Sequence, residues 1–199
     1  MNPKERWDEV FKQGKDFTTF NDIFIDEELL PRLATKEGDV SRTLLDVGCG
    51  TGDVMMRMQK RGFDVTGIDA SSEAVRIARE RTGLDEQSVV VGDVDALGLD
   101  QFHANTYDLI TNKLVIAFIK DKKVFLKNIY DLLSEKGQLL LITPLLYSGV
   151  EYTKPHTKGI AVDVEIIESL LNEQFSKVNL FHRDFMDDNG VLGYYLCEK

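Results

Sequence analysis

Cysteine is nearly absent: Cys49 and Cys197 are the two in 199 residues. Without a CxxC pair or a Cys/His cluster they form neither a disulfide framework nor a zinc site, so no metal is expected and both read as buried reduced thiols. No apolar run approaches the roughly 20 residues of a membrane span. The opening "MNPKERWDEVF" is charged where a secretory signal is apolar, and the expectation is a cytoplasmic protein without membrane attachment. Positive charge is scarce as well. The 24 Lys and Arg stand against 34 Asp and Glu, a formal net charge of −10, which opposes bulk nucleic-acid binding because phosphate contacts need clustered cations. Internal repeats, low-complexity tracts and Pro/Gly/Ser linkers are all missing. The length then fits one domain, 1–199, and the 43% hydrophobic content suffices for one ordinary core.

What the chain does contain is a strand followed by a helix, several times over. "TLLDV" at 43–47 reads as a strand, and "DVMMRMQKRG" as a helix that stops at Gly62. "FDVTGID" is a second strand, "SSEAVRIARERTG" a helix with serines suited to capping, and "SVVVGD" a third strand. "YDLIT" makes a fourth, "KKVFLKNIYDLLSEKG" a helix, and "QLLLITP" a fifth that is expected to stop before Pro144. Such alternation predicts an α/β, doubly wound, mostly parallel sheet. After a helix over about 163–175, "KVNLFHRDF", "DDNG" and "VLGYYLCE" predict an antiparallel hairpin. Residues 1–42 hold Trp7, Phe11, Phe17, Phe20 and Phe24 and read as an added helical layer, a lid segment before the core at 43–199.

The stretch "LLDVGCGTGDV" at 44–54 sets Gly48, Gly50 and Gly52 at alternate positions between a strand and a helix. Each glycine inside an element costs about 0.5–1 kcal/mol relative to alanine, so three together point to a ligand. On doubly wound sheets ligands sit at the carboxyl ends of strands, where this loop lies. A dinucleotide fingerprint is GxGxxG with a pyrophosphate on the following helix. Here the spacing is GxGxG, Asp46 precedes it, and Asp53 occupies the turn a pyrophosphate would use. A carboxylate there favours a cationic, amino-acid-like group over a polyanion. Asp69 ends the second strand, placed to accept from both hydroxyls of a ribose. Asp93 follows the third, placed to accept from an adenine amino group beside the backbone amide of Val94. The ligand so described has an adenine, a ribose and a cationic amino-acid tail, and no phosphate.

These segments resemble the class I S-adenosylmethionine (SAM) dependent methyltransferases. "LLDVGCGTGD" is similar to their first motif, "VTGIDAS" to the ribose-binding strand, "VVVGDVDAL" to the adenine segment and "YDLITNKLVIAFIKD" to the segment after strand four. The resemblance implies a Rossmann-like sheet of seven strands in the order 3-2-1-4-5-7-6, with SAM as cofactor and S-adenosylhomocysteine (SAH) as product. By the same resemblance, Asp46 and the backbone from Gly48 through Cys49 and Gly50 to Gly52 surround the methionine portion. Asp69 takes the ribose, Asp93 and Val94 the adenine, Ala70 and Asn112 are further cofactor-binding positions, and Asn112 lies near the transferring methyl.

Methyl transfer to a small-molecule acceptor (O, N or S) by direct in-line displacement is the expected reaction. "TNKL" lacks the Asn/Asp-Pro-Pro-aromatic signature of many nucleobase methyltransferases, and no Pro-Cys nucleophile is present. The long connection after the fifth strand, "PLLYSGVEYTKPHTKGIAVD", carries Tyr147, Tyr152 and His156, which could shape the acceptor pocket or accept a proton. Asn112, Tyr147 and His156 are the candidate catalytic residues. His103 and His182 read as structural or surface residues. The alternatives left open are an RNA or protein methyltransferase, a SAM-binding regulator without turnover, and a nucleotide-dependent oxidoreductase. The sequence leaves the oligomeric state undetermined.

Overall fold

Strand β1 (Arg42–Val47) buries Leu44, Leu45, Asp46 and Val47 in succession, the pattern of a strand covered on both faces. In the computed structural model it pairs in parallel with β2 (Phe63–Asp69), which pairs in parallel with β3 (Val89–Val91). The order β3-β2-β1 is the expected one. The structure describes residues 3–14, 41–95, 102, 106–152, 159–184 and 190–199. The chain divides into two compact units, 1–101 and 102–199.

In the first unit, helix α1 (Pro3–Lys12) precedes the strands, and α2 (Asp53–Gln59) and α3 (Ser72–Thr82) connect them. α2 presents Val54, Met55 and Met58 to the interior, and α3 presents Ala74, Val75 and Ala78. Both ends of α3 were legible. Ser71 accepts the amide of Ala74, and Gly83 closes the helix in the left-handed region.

The second unit contains β4 (Tyr107–Lys113), α4 (Lys122–Leu132), β5 (Leu133–Leu146), β6 (Val162–Asp163), α5 (Val164–Gln174), β7 (Lys177–Asp184) and β8 (Val191–Glu198). β4 is parallel to β5, while β8 is antiparallel to both β5 and β7, giving the order β4-β5-β8-β7. The C-terminal hairpin is therefore as expected. The two-residue β6 pairs in parallel with Leu145 and Leu146 and makes the described strands eight, where seven were expected.

Two expected boundaries need correction. The helix read as running to Gly137 ends at Leu132, and residues 133–137 already belong to β5. The strand also continues through Pro144. The carbonyl of Ile142 accepts the amide of Leu114 on the β4 side, and backbone groups two residues apart point the same way. The nitrogen of Pro144 thus faces the β4 side two residues past the last β4 pair, Lys113 with Ile142, and the donor that proline lacks had no partner to lose.

Candidate active site

The glycine loop begins where β1 ends. The amides of Gly48 and Cys49 both donate to the carbonyl of Ile68, at 2.8 and 3.0 Å, which turns the chain across the end of β2. That turn requires left-handed backbone: φ is 78°, 51° and 82° at Gly48, Gly50 and Gly52, where a side chain costs about 1–2 kcal/mol. At Gly52 a Cβ would also lie 3.2 Å from both Ala78 Cβ and Thr82 Cγ2 on α3. Backbone geometry alone therefore accounts for the three glycines.

Asp69, at the end of β2, holds this loop. Its Oδ2 accepts the amide of Gly50 at 2.9 Å and its Oδ1 the amide of Ser71 at 2.8 Å. Burial raises its pKa, the two amides oppose that rise, and the charge of Asp8 adds to it. A carboxylate offers about four lone-pair positions, so these two bonds leave capacity for two further donors. Cys49 is buried beside it, and its thiol lies well above the ordinary value because of burial and then the charges of Asp69 and Asp46. It is a neutral thiol at physiological pH.

Asp53 needs a different reading. It pairs with Arg57 at 3.3 Å and Arg81 at 3.9 Å, and Arg81 also donates to the Thr51 carbonyl at 3.2 Å and hydroxyl at 2.8 Å. Its charge is balanced within a clamp between loop and helix, so Asp53 does not argue against a phosphate. Asp46 is buried in β1, opposite Gly67 of β2. Asp93 is exposed after β3 and accepts the amide of Asp95 at 3.0 Å, while Val94 and Ala70 are half-buried. Asp46, the loop from Gly48 to Gly52, Asp69, Ala70, Asp93 and Val94 are all gathered at the carboxyl ends of β1, β2 and β3 in the first unit.

In the second unit Asn112 is fully buried on β4, in register with Leu141. Two residues on, Leu114 has φ 62°, a costly conformation for leucine. Tyr147 follows β5 and is half-buried; its phenol is raised by burial, then by Glu168 and Tyr152, and stays protonated at neutral pH. Tyr152 is buried, not part of an open loop. Its hydroxyl accepts the Tyr147 amide at 2.8 Å and donates to the Leu145 carbonyl at 3.4 Å, a clip on the end of β5. His156 and His103 lie outside the described residues, as does the side chain of His182.

Sequence reasoning missed α1's part in the loop. Phe11 is buried, and its Cζ lies 3.6 Å from where a Gly50 Cβ would stand; Asp8 bonds to the start of α3. Aromatic content marked the segment, but nothing in the local pattern marked Asp8, which meets residues more than 60 positions away. Among the described residues no group of three or more His, Cys, Asp or Glu could hold a metal, and no helix is long and apolar enough to cross a membrane.

The family signature described as Methyltransferase domain matches residues 21–187. The chain belongs to this methyltransferase family. The chain is 26% identical over 118 residues to a malonyl-[acyl-carrier protein] O-methyltransferase of Priestia megaterium, covering 58% of this chain and 42% of that protein. It is 27% identical over 194 residues to EEF1A lysine methyltransferase 2 of Mus musculus, covering 88% of this chain and 77% of the relative. The fold is similar to that of a Haemonchus contortus phosphoethanolamine N-methyltransferase 2 solved with SAH, with TM-score 0.70 and 18% identity over 85% of this chain and 51% of the other. The resemblance read from the motifs is thus borne out for family and fold.

Proposed function

We propose that the protein is a SAM-dependent methyltransferase acting on a small-molecule acceptor. The observation that carries the cofactor reading is the Asp69 carboxylate, whose two bonds to backbone amides leave capacity for two donors, the number a ribose diol presents. The loop fits the same ligand, since glycines at 48, 50 and 52 add no side chains of their own where the chain turns. Asp93 and Val94 serve the adenine end. When bound, SAM supplies a methyl group already activated on a sulfonium. The chain's contribution is then mainly alignment, which in favourable intramolecular cases is worth about 7–11 kcal/mol.

Asn112, Tyr147 and His156 serve the acceptor in this reading. Tyr147, held protonated, acts as a hydrogen-bond partner, and a base is needed only for an acceptor that must lose a proton. The small-molecule reading is supported by the similarity to a ubiquinone biosynthesis O-methyltransferase of Schizosaccharomyces pombe and by the absence of the nucleobase signature. A second reading, a protein lysine acceptor, is favoured by the mouse relative, which aligns over most of both chains. Incubation with methyl-labelled SAM and fractionated cell extract separates the two. Label in the low-molecular-mass fraction is expected; label on protein lysines supports the second reading, and no transfer from a protein that binds SAM overturns both.

A further inference from the structure

We propose that Asp8 is a positioning residue for Asp69, acting through Ser71, an inference that rests on the reading of Asp69 as the ribose-binding carboxylate. Asp8 lies on α1, and its Oδ1 accepts the Ser71 hydroxyl at 2.7 Å, the Ser72 hydroxyl at 3.2 Å and the Glu73 amide at 3.2 Å. A second contact from Ser72 reaches Oδ2 at 3.3 Å. Ser71 is the hinge of the arrangement. Its hydroxyl accepts the Ala74 amide at 3.1 Å as the cap of α3, and its one proton goes to Asp8. Its amide goes to Asp69 Oδ1, and Asp69 Oδ2 takes the amide of Gly50.

The bonds therefore run without a break from Asp8 through Ser71 and Asp69 to the glycine loop. One turn further along α1, Phe11 lies against Gly50, so a single helix meets both ends of this chain of bonds. Asp8 fixes which way the Ser71 hydroxyl points. With that proton committed to Asp8, Asp69 receives only backbone amides, and its remaining lone pairs stay available to a ligand. An acid that merely capped α3 would contribute stability and leave ligand affinity alone.

Asp8→Ala and Asp8→Asn in the full chain test this. Asn keeps an acceptor oxygen and guards against loss of the fold. In the ligand-free protein, hydrogen exchange at the Gly50 and Ser71 amides is expected to accelerate in Asp8→Ala and to return most of the way in Asp8→Asn. SAH affinity, by calorimetry, is expected to fall about fivefold in Asp8→Ala but less than twofold when the same change is made in an Asp69→Ala background, the signature of coupled residues. Unchanged exchange at the two amides overturns the proposal, and so does an equal affinity loss in both backgrounds. Absence of SAH binding by the unsubstituted protein instead defeats the cofactor reading, and the exchange experiment then decides the relay by itself.

Discussion

At Asp69 a buried carboxylate is held by two amides, and burial keeps its pKa above the ordinary 3.8. The ionised form is the one that accepts from two hydroxyls, so SAH affinity is expected to decline as pH falls, with a midpoint above 3.8; a flat profile down to that value would remove Asp69 from the contact. Glycine offers a separate test of how the loop is built. Gly83 and Gly52 share a left-handed backbone, but a Cβ at Gly83 meets nothing within 4 Å, whereas at Gly52 it meets α3. Gly83→Ala is expected to cost about 1 kcal/mol and Gly52→Ala at least about 1 kcal/mol more, measured by urea unfolding. Equal losses would mean that α3 gives way. The acids and glycines were legible because strand ends and turn residues announce themselves locally. The Asp53 clamp was not, since Arg81 lies near the end of α3 and meets the loop from 30 positions along the chain.

Among the elements, α1 and β5 depart furthest from local pattern. The helices α3, α4 and α5 are capped by Ser71, Asp121 and Asp163, residue types favoured at that position, of which the sequence reading named the serines. The end of α4 was misread because "SEKG" continues a helical composition, yet Leu133 already pairs with Tyr107. Pro144 was read as a stop, correctly for the middle of a ladder and wrongly for a position between the last β4 pair, at Ile142, and the first β6 pair, at Leu145. Pro144→Ala is therefore expected to change stability by less than about 1 kcal/mol, where a proline from the interior of a sheet would behave otherwise; a larger loss would show that the ring itself is packed. At α1, burial alone would raise the pKa of Asp8, but bonds from Ser71, the Glu73 amide and Ser72, with the charge of Lys12, hold it below 3.8. A lowered pKa in the folded state stabilises above the unfolded value and loses that contribution as pH falls through the folded one. The difference in unfolding free energy between the native protein and Asp8→Ala should thus be full at pH 7 and shrink below about pH 3.8; a gap that persists unchanged in acid would assign Asp8's contribution to something other than its charge.

For the whole molecule, alternation of strands and helices was strong enough to give the strand orders in each unit, and four ordered motifs gave the family. The acceptor was not legible in the same way, because its recognition depends on which side chains meet in space, and the relatives differ by name in what they methylate: one is a malonyl-[acyl-carrier protein] O-methyltransferase, another an EEF1A lysine methyltransferase. The net charge of −10 bears on partners without naming one. The central claim is that SAM binds through Asp69 and the glycine loop, and titration calorimetry of SAH into the native protein and Asp69→Ala addresses it most directly, with NADH as the competing nucleotide. Expected is saturable one-to-one binding of SAH, weakened more than tenfold by Asp69→Ala while the variant keeps its fold by circular dichroism, and no binding of NADH. Failure of SAH to bind, or equal affinity in the native protein and the variant, would contradict it.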